Sequence, residues 1–226
     1  MDLEKALYNF PKTDVKLTIP DKKVNDQLSH VDINLSITEV VDLVLTTLEV
    51  GSKNFLTHKV DRSVTGLIAQ QQCIGPFGLP LADYSINAID YYSTEGVVSA
   101  ISERPLNGID SIKSMIEITV GELLTNMVFC VIESFNDIKV LTNWMWSTKL
   151  NNGDYKLYQA VNILTDSLKL LGIAVDGGKD SLSMNIKFDN EVVQSLNTLV
   201  LKSYAPCYDF KKSVTPDFKR EGNVII

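Results

Sequence analysis

A chain of 226 residues is long enough to bury a sizeable core, as one large or two small domains. Its 45% hydrophobic and 22% charged content is that of an ordinary globular protein, and a formal net charge of −7 argues against a general nucleic-acid binder, which needs a basic face. No apolar run approaches the roughly 20 residues of a membrane span, and MDLEKALYNFPKTDVK lacks the apolar centre of a signal peptide.

Residues 1–35, interrupted by Pro11 and Pro20, read as an extended arm or linker in which DVKLTIP is the one strand candidate. The first firm element begins at Ser36, which forms an S-x-x-E capping box with Glu39. Val40, Val41, Val44, Leu45 and Leu48 then make a helical stripe, stopped at Gly51. So wide a stripe predicts that the helix lies on an apolar support. Lys53 follows in a glycine-containing turn, where its plainest role is to complement the helix dipole.

FLTHKV is expected to open the strands, and SVTGLIAQQQCI continues them into the turn GPFGLP. ADYSINAI reads as a strand with Tyr84, Ile86 and Ala88 on one face and Ser85 and Asn87 on the other. Pro76 and Pro80 stiffen the turn and set Asp83 at the mouth of that strand. A carboxylate so held can be aimed at a cation. It can equally be a solvated edge charge, and this window alone favours that second reading.

Residues 95–106 are ambiguous between strand and helix, and Pro105 and Gly108 close them. A long helix is expected over 111–132, capped by Asp110 or Ser111, with Ile112, Met115, Ile116, Val120, Leu123, Met127 and Val131 on its apolar face and Cys130 in the core. Glu122 and Asn126 stand one turn apart on it, as a ligand pair or as a hydrogen-bonded pair on the solvent edge. Gly121, costly by roughly 1 kcal/mol inside a helix, predicts close packing against the backbone.

DIKVLTNWMWST reads as a strand, and residues 154–171 as a helix with Leu157, Val161, Leu164, Leu168 and Leu171 on one stripe, stopped by Gly172. IAV, the polar turn DGGKDS and SLSMNIKF form strand, glycine loop, strand, so the Gly-Gly-Lys is neither a Walker A loop nor a dinucleotide fingerprint. Its amides, with Lys179 and Ser181, are either an anion-binding nest or a hairpin turn. TLVLKSYAPC is a core strand, SVTPDFKREG an exposed connection and NVII the start of a strand. The expected fold class is α+β, a mixed sheet covered on one face by three or more helices. Residues 36–212 would form the domain, and 213–226 a linker into a further one.

The chemistry available is narrow. Cys73, Cys130 and Cys207 are far apart and outside any CxxC pair, which fits a reducing cytoplasmic compartment without disulfides or a zinc site. The two histidines, His30 and His58, lie beside no nucleophile elbow. A metal site here would be made of oxygens, which suits Mg2+.

Four stretches in order, GSKNFLTHKVDRSVTGLIAQQQCIGPFGLPLAD, VGELLTN, NWMW and VDGGKDSLSM, resemble the N-domain of the second aminoimidazole-ribonucleotide-synthetase-like repeat of the large phosphoribosylformylglycinamidine synthases. DRSVTG, VGELLTN and GGKDS are specific as a set although each alone is weak, and the resemblance runs from about Leu3 to Val214. It implies part of an ATP- and glutamine-dependent ligase of purine biosynthesis, one that aminates formylglycinamide ribonucleotide. It also implies Mg2+ ligands at Asp83, Glu122 and Asn126, and contacts to ATP or ADP from Lys53 and Ala82. Leu123 departs from the family's alanine without touching that pair, and Lys179, Asp180 and Ser181 match a family loop of unassigned contact.

The partner repeat, the C-domain and the glutaminase of the full enzymes are not in this sequence. The expectation is therefore a nucleotide and Mg2+ half-site that is inactive alone and works with the rest of a longer polypeptide. The alternative is a structural module that pairs with a second copy through its sheet and holds an unhydrolysed nucleotide.

Overall fold

The computed structural model describes residues 17, 19–20, 34–48, 50–58 and 66–224. Most of the expected arm, most of DVKLTIP and residues 61–65 of DRSVTG lie outside them, and the described Leu17, Ile19 and Pro20 belong to no strand. In chain order the elements are α1 (Ile37–Thr46), α2 (Asn54–Thr57), β1 (Ile68–Gln70), β2 (Tyr84–Ala88), β3 (Gly96–Glu103), α3 (Asn107–Asp110) and α4 (Ile112–Met127). They continue as β4 (Lys139–Met145), α5 (Gly153–Leu171), β5 (Ala174–Ser181), β6 (Asn185–Phe188), β7 (Glu191–Gln194) and β8 (Thr198–Cys207).

Six strands form one mixed sheet in the order β1-β2-β3-β8-β4-β5, and β6 and β7 pair as a separate hairpin. Every pairing in the large sheet is antiparallel except β4 with β5, the pair that α5 connects. Period-2 alternation decides the faces. On β2 and β3, Tyr84, Ile86, Val98 and Ala100 are buried while Ser85, Asn87, Val97 and Ile101 are exposed. On β8, Leu199, Leu201, Ser203 and Ala205 point inward and Lys202 outward.

Two long helices cover the inner face. Helix α4 starts where Ser111 accepts a hydrogen bond from the Ser114 amide, and buries Ile112, Met115, Ile116, Thr119, Val120, Leu123 and Met127. It meets the sheet directly: Ser203 on β8 donates from its hydroxyl to Met127 Sδ, and Ser102 on β3 donates to the Thr119 carbonyl. Helix α5 buries Ala160, Leu164 and Leu168 and ends at Gly172, whose φ of 71° is the left-handed stop expected of a glycine there. The α+β class, with helices on one face of a mixed sheet, is what the sequence implied.

Several local expectations are corrected. The capping box of α1 is present, with Ser36 and Glu39 bonded reciprocally, yet the helix ends at Thr46 and buries no residue. Its stripe has no apolar support among the described residues, so two long helices cover the sheet rather than three. FLTHKV does not begin as a strand: residues 54–57 close a helical turn through amide bonds back to Lys53 and Asn54. Of SVTGLIAQQQCI, the described part contributes only the three residues of β1.

Residues 96–103 are a strand, and residues 107–110 after them a short helix. The 111–132 helix stops at Met127. Nothing lies within 4 Å of a Cβ built on Gly121, so no close neighbour there explains the glycine. DGGKDS is no turn. Residues 174–181 run as one extended strand along β4, with Asn143 opposite Lys179. A Cβ on Gly178 would stand 2.5 Å from Thr142 Oγ1, which is why that strand position carries no side chain. The described Asn223 and Val224 lie in no strand.

Candidate functional site

The turn before β2 is built as a closed tongue. The Ala82 amide donates to the Gln72 carbonyl at 2.9 Å and the Ile74 amide to the Pro80 carbonyl at 2.9 Å, with Cys73 bridged to Leu81 between them. Gly75 and Gly78, at φ of 71° and 61°, take the left-handed conformations that let the tongue fold back on itself. His58 Nε2 bonds the Gly78 carbonyl at 2.9 Å, pinning the tip to the end of α2. Asp83 therefore leaves the tongue from a fixed base, one residue before β2.

At that point the sheet has a notch. Pairing of β2 with β3 ends at Tyr84 opposite Ala100, while β3 runs on through Ile101, Ser102 and Glu103, paired only with β8. Helix α4 passes there, and Asn126 Nδ2 donates to the Ile101 carbonyl at 3.1 Å. One turn earlier on α4, Glu122 Oε1 accepts from Arg104 Nη2 at 2.6 Å. The other carboxylate oxygen, Oε2, is buried and has no hydrogen-bond partner among the described residues. A buried carboxylate oxygen left unpaired is costly unless something absent from the chain satisfies it.

The notch opens into a cleft of about 810 Å³ whose lining includes Ala82, Asp83, Glu122 and Asn126, with Gln72, Ser85, Asn87, Ser99 and Lys202 among its polar walls. Four of the residues singled out from the sequence thus share one cavity. Lys53 does not line it: its ammonium donates to the Leu48 and Gly51 carbonyls, closing the turn after α1 much as the plainest reading had it. Lys179, Asp180 and Ser181 sit on β5 at the opposite edge of the sheet, where Lys179 donates to Ser181 Oγ. Four strand spacings, roughly 19 Å, separate β2 from β5.

Two basic residues at the site were not anticipated. Lys202 is the one charge in TLVLKSYAPC and falls on the outward phase of the alternation, a signal the sequence carries. Arg104 lies near the end of the 95–106 stretch and has no such signal, because its partner is 18 residues away on another element.

Among the described residues no group of three or more His, Cys, Asp or Glu is placed to cage a metal. The cleft instead offers two carboxylates and one amide oxygen. That donor set fits a hard cation that keeps waters and phosphate oxygens in its shell, as Mg2+ does. Cys73 and Cys207 are buried, and burial, with the Cys207 thiol nearby, pushes the Cys130 thiol up to about 12. Cys130 lines a different cavity of about 560 Å³ beyond the end of α4, with apolar walls from Leu124, Met127, Val128 and Phe135.

Among the described residues no helix is long and apolar enough to cross a membrane. The family model of the FGAR-AT PurM_N-like domain matches residues 52–206. Phosphoribosylformylglycinamidine synthase of Drosophila melanogaster is 41% identical over 224 residues, a match that covers 98% of this chain and 16% of the fly protein. The human protein of the same name is 42% identical over 185 residues, covering 82% of this chain and 14% of its own length. The chain thus spans about one sixth or less of these two relatives.

In three dimensions it is similar to PurLQS from Thermotoga maritima, with a TM-score of 0.58 at 15% identity, covering 93% of this chain and 30% of that one. PurL of the same organism complexed with ADP gives 0.57 at 15% identity, over 94% and 30%. At such identities the likeness speaks for the fold.

Proposed function

The chain belongs to the FGAR-AT PurM_N-like domain family, and from that premise we propose that it contributes a nucleotide and Mg2+ half-site to a phosphoribosylformylglycinamidine synthase. The reaction would be the ATP- and glutamine-dependent conversion of formylglycinamide ribonucleotide to formylglycinamidine ribonucleotide, in purine biosynthesis in the cytoplasm. Residues 36–212 would form the synthetase-like domain, and the rest of a longer polypeptide its partner repeat, C-domain and glutaminase. The chain on its own would be inactive.

The observation that carries this reading is the meeting of Asp83, Glu122 and Asn126 in one cleft, with a buried oxygen on Glu122 that has no partner among the described residues. These three would hold Mg2+, which supplies charge neutralisation to phosphate oxygens. Ala82 would face the nucleotide from the base of the tongue. Lys202, as a point charge on the cleft wall, is better placed to meet a phosphate than Lys53, which is spent on carbonyls. In the reaction, the substrate amide oxygen attacks the γ-phosphorus of ATP and ADP leaves. Ammonia from glutamine then adds to the activated carbon and phosphate departs. This chain's part would be to bind and orient a nucleotide, whether the one consumed or an auxiliary one held unhydrolysed. Lys179, Asp180 and Ser181 would take no part in it, given the width of sheet between them and the cleft.

The test is a thermal-shift titration with ADP and Mg2+ on the chain joined to its partner repeat and C-domain, with Asp83→Asn and Glu122→Gln as controls. A rise in melting temperature that both substitutions remove is expected. An unchanged melt would sink the reading.

A second reading, a module that pairs through its sheet with another copy, is favoured by the outer face. There Val97 and Ile101 are 40% and 60% exposed, with no helix over them among the described residues. Light scattering of the isolated chain at micromolar concentration is expected to give a dimer, and a monodisperse monomer would count against it. The two readings draw on one surface, since Val97 and Ile101 also line the cleft.

A further inference from the structure

We propose that Arg104 is a positioning residue that leaves Glu122 a single coordinating oxygen, and that it thereby makes the cleft prefer Mg2+ over Ca2+. This rests on the cation-site reading above and goes beyond it, from which residues bind to which ion they select.

The two helix-borne ligands share one design. Each is tethered through one terminal atom and keeps one oxygen. Glu122 is held through Oε1 by the Arg104 guanidinium at 2.6 Å, and its Oε2 is the buried oxygen without a partner among the described residues. Asn126 is held through Nδ2 by the Ile101 carbonyl at 3.1 Å, which turns Oδ1 into its remaining acceptor. The amide cannot rotate without losing that bond, and the carboxylate cannot present both oxygens without losing Arg104. A charge-assisted Arg–carboxylate bond is among the stronger tethers a side chain can have. The Glu122 side chain is 23% exposed against 47% for Arg104, so water competes for the bond mainly from the arginine side.

The chemistry of the two ions converts that tether into selectivity. Mg2+ demands near-octahedral geometry at short distances and takes one oxygen from a carboxylate. Ca2+ accepts six to eight oxygens at longer distances and gains from bidentate carboxylates. With Oε1 committed to Arg104, Glu122 can meet the demand of Mg2+ but cannot offer Ca2+ its second oxygen. Removing the guanidinium frees Oε1 and also raises the local negative charge. Affinity for both ions should therefore increase, and the ratio between them, rather than either affinity, reports the tether.

The experiment titrates MgCl2 and CaCl2 separately, with ADP present, into the chain joined to its partner repeat and C-domain by calorimetry, for wild type, Arg104→Met, Arg104→Lys and Asp83→Asn. Melting temperature without divalent ions is the folding control. Wild type is expected to bind Mg2+ more tightly than Ca2+. Arg104→Met should shift that preference toward Ca2+ by on the order of tenfold, and Arg104→Lys, which still tethers one oxygen, should restore most of it. Should Arg104→Met fail to melt cooperatively, Arg104→Ala gives the same reading. An unchanged preference in the variant without a guanidinium, with binding intact, overturns the role of Arg104 and leaves the cation site standing. Absence of binding by wild type, or binding that survives Asp83→Asn, overturns the cation-site reading and this inference with it.

Discussion

Two stretches of this chain look alike as text, GPFGLPLAD before β2 and VDGGKDS in β5, and they stand at opposite ends of the sheet. Both join two glycines to an aspartate. In the first the glycines are needed for conformation: Gly75 and Gly78 hold positive φ and let the tongue close. In the second they are needed for clearance: the backbone stays extended, and Gly178 is bare because Thr142 on β4 occupies the space of a side chain. The same letters thus build a mount for a carboxylate at one end and a tightly fitted strand at the other.

The sharpest way to break that contrast is Gly178→Val. Forcing two methyl groups against Thr142 should cost about 1–3 kcal/mol in urea denaturation, while the protein that remains folded keeps its Mg2+–ADP response. Gly75→Ala should be the mirror case. At a φ of 71°, with Asp217 Cβ 3.2 Å from the new methyl, it should cost about 1–2 kcal/mol and also weaken the response, because it disturbs the base from which Asp83 projects. Asp83→Asn should remove the cation-dependent rise in melting temperature while moving the denaturation midpoint by no more than about 0.5 kcal/mol. The smallest effect is expected of Lys179→Ala. It should leave stability within about 0.5 kcal/mol and the nucleotide response intact; a lost response there would return the β5 stretch to the site and dissolve the contrast.

How much of this was legible follows from the range of the interactions involved. The Ser36 cap, the alternation of β2 and the stop of α5 at Gly172 are local patterns found where the sequence put them, whereas of the α5 stripe Leu164 and Leu168 are buried and Val161 is exposed. The convergence of Asp83, Glu122 and Asn126 in one cleft came from the family resemblance, since nothing local links a tongue to a helix 39 residues on.

What was misread depended on partners distant in sequence. β5 is a strand because β4 offers it a parallel edge, something Gly-Gly-Lys gives no hint of. β3 was ambiguous because its inward residues are the small ones, Gly96, Val98, Ala100 and Ser102, where α4 lies close, and two of its larger apolar residues, Val97 and Ile101, point outward. The apolar stripe of helix α1 calls for a support, but apolarity states a requirement without meeting it. Arg104 was invisible for the simplest reason: a tether matters only once the thing tethered is known.

The short segment from Val214 to Asp217 gives the cleft a mechanical character. The Val214 amide donates to the Phe129 carbonyl just past α4, at 2.9 Å, and its own carbonyl accepts from the Tyr84 hydroxyl at 2.6 Å, beside Asp83. Asp217 then rests against Gly75 on the tongue. A few residues thus act as a brace between the wall that carries Asp83 and the helix that carries Glu122 and Asn126. The spacing of the three oxygen donors is therefore held by a strut more than 85 residues downstream of the nearest of them in the chain, and tension applied to that strut would reach both walls at once.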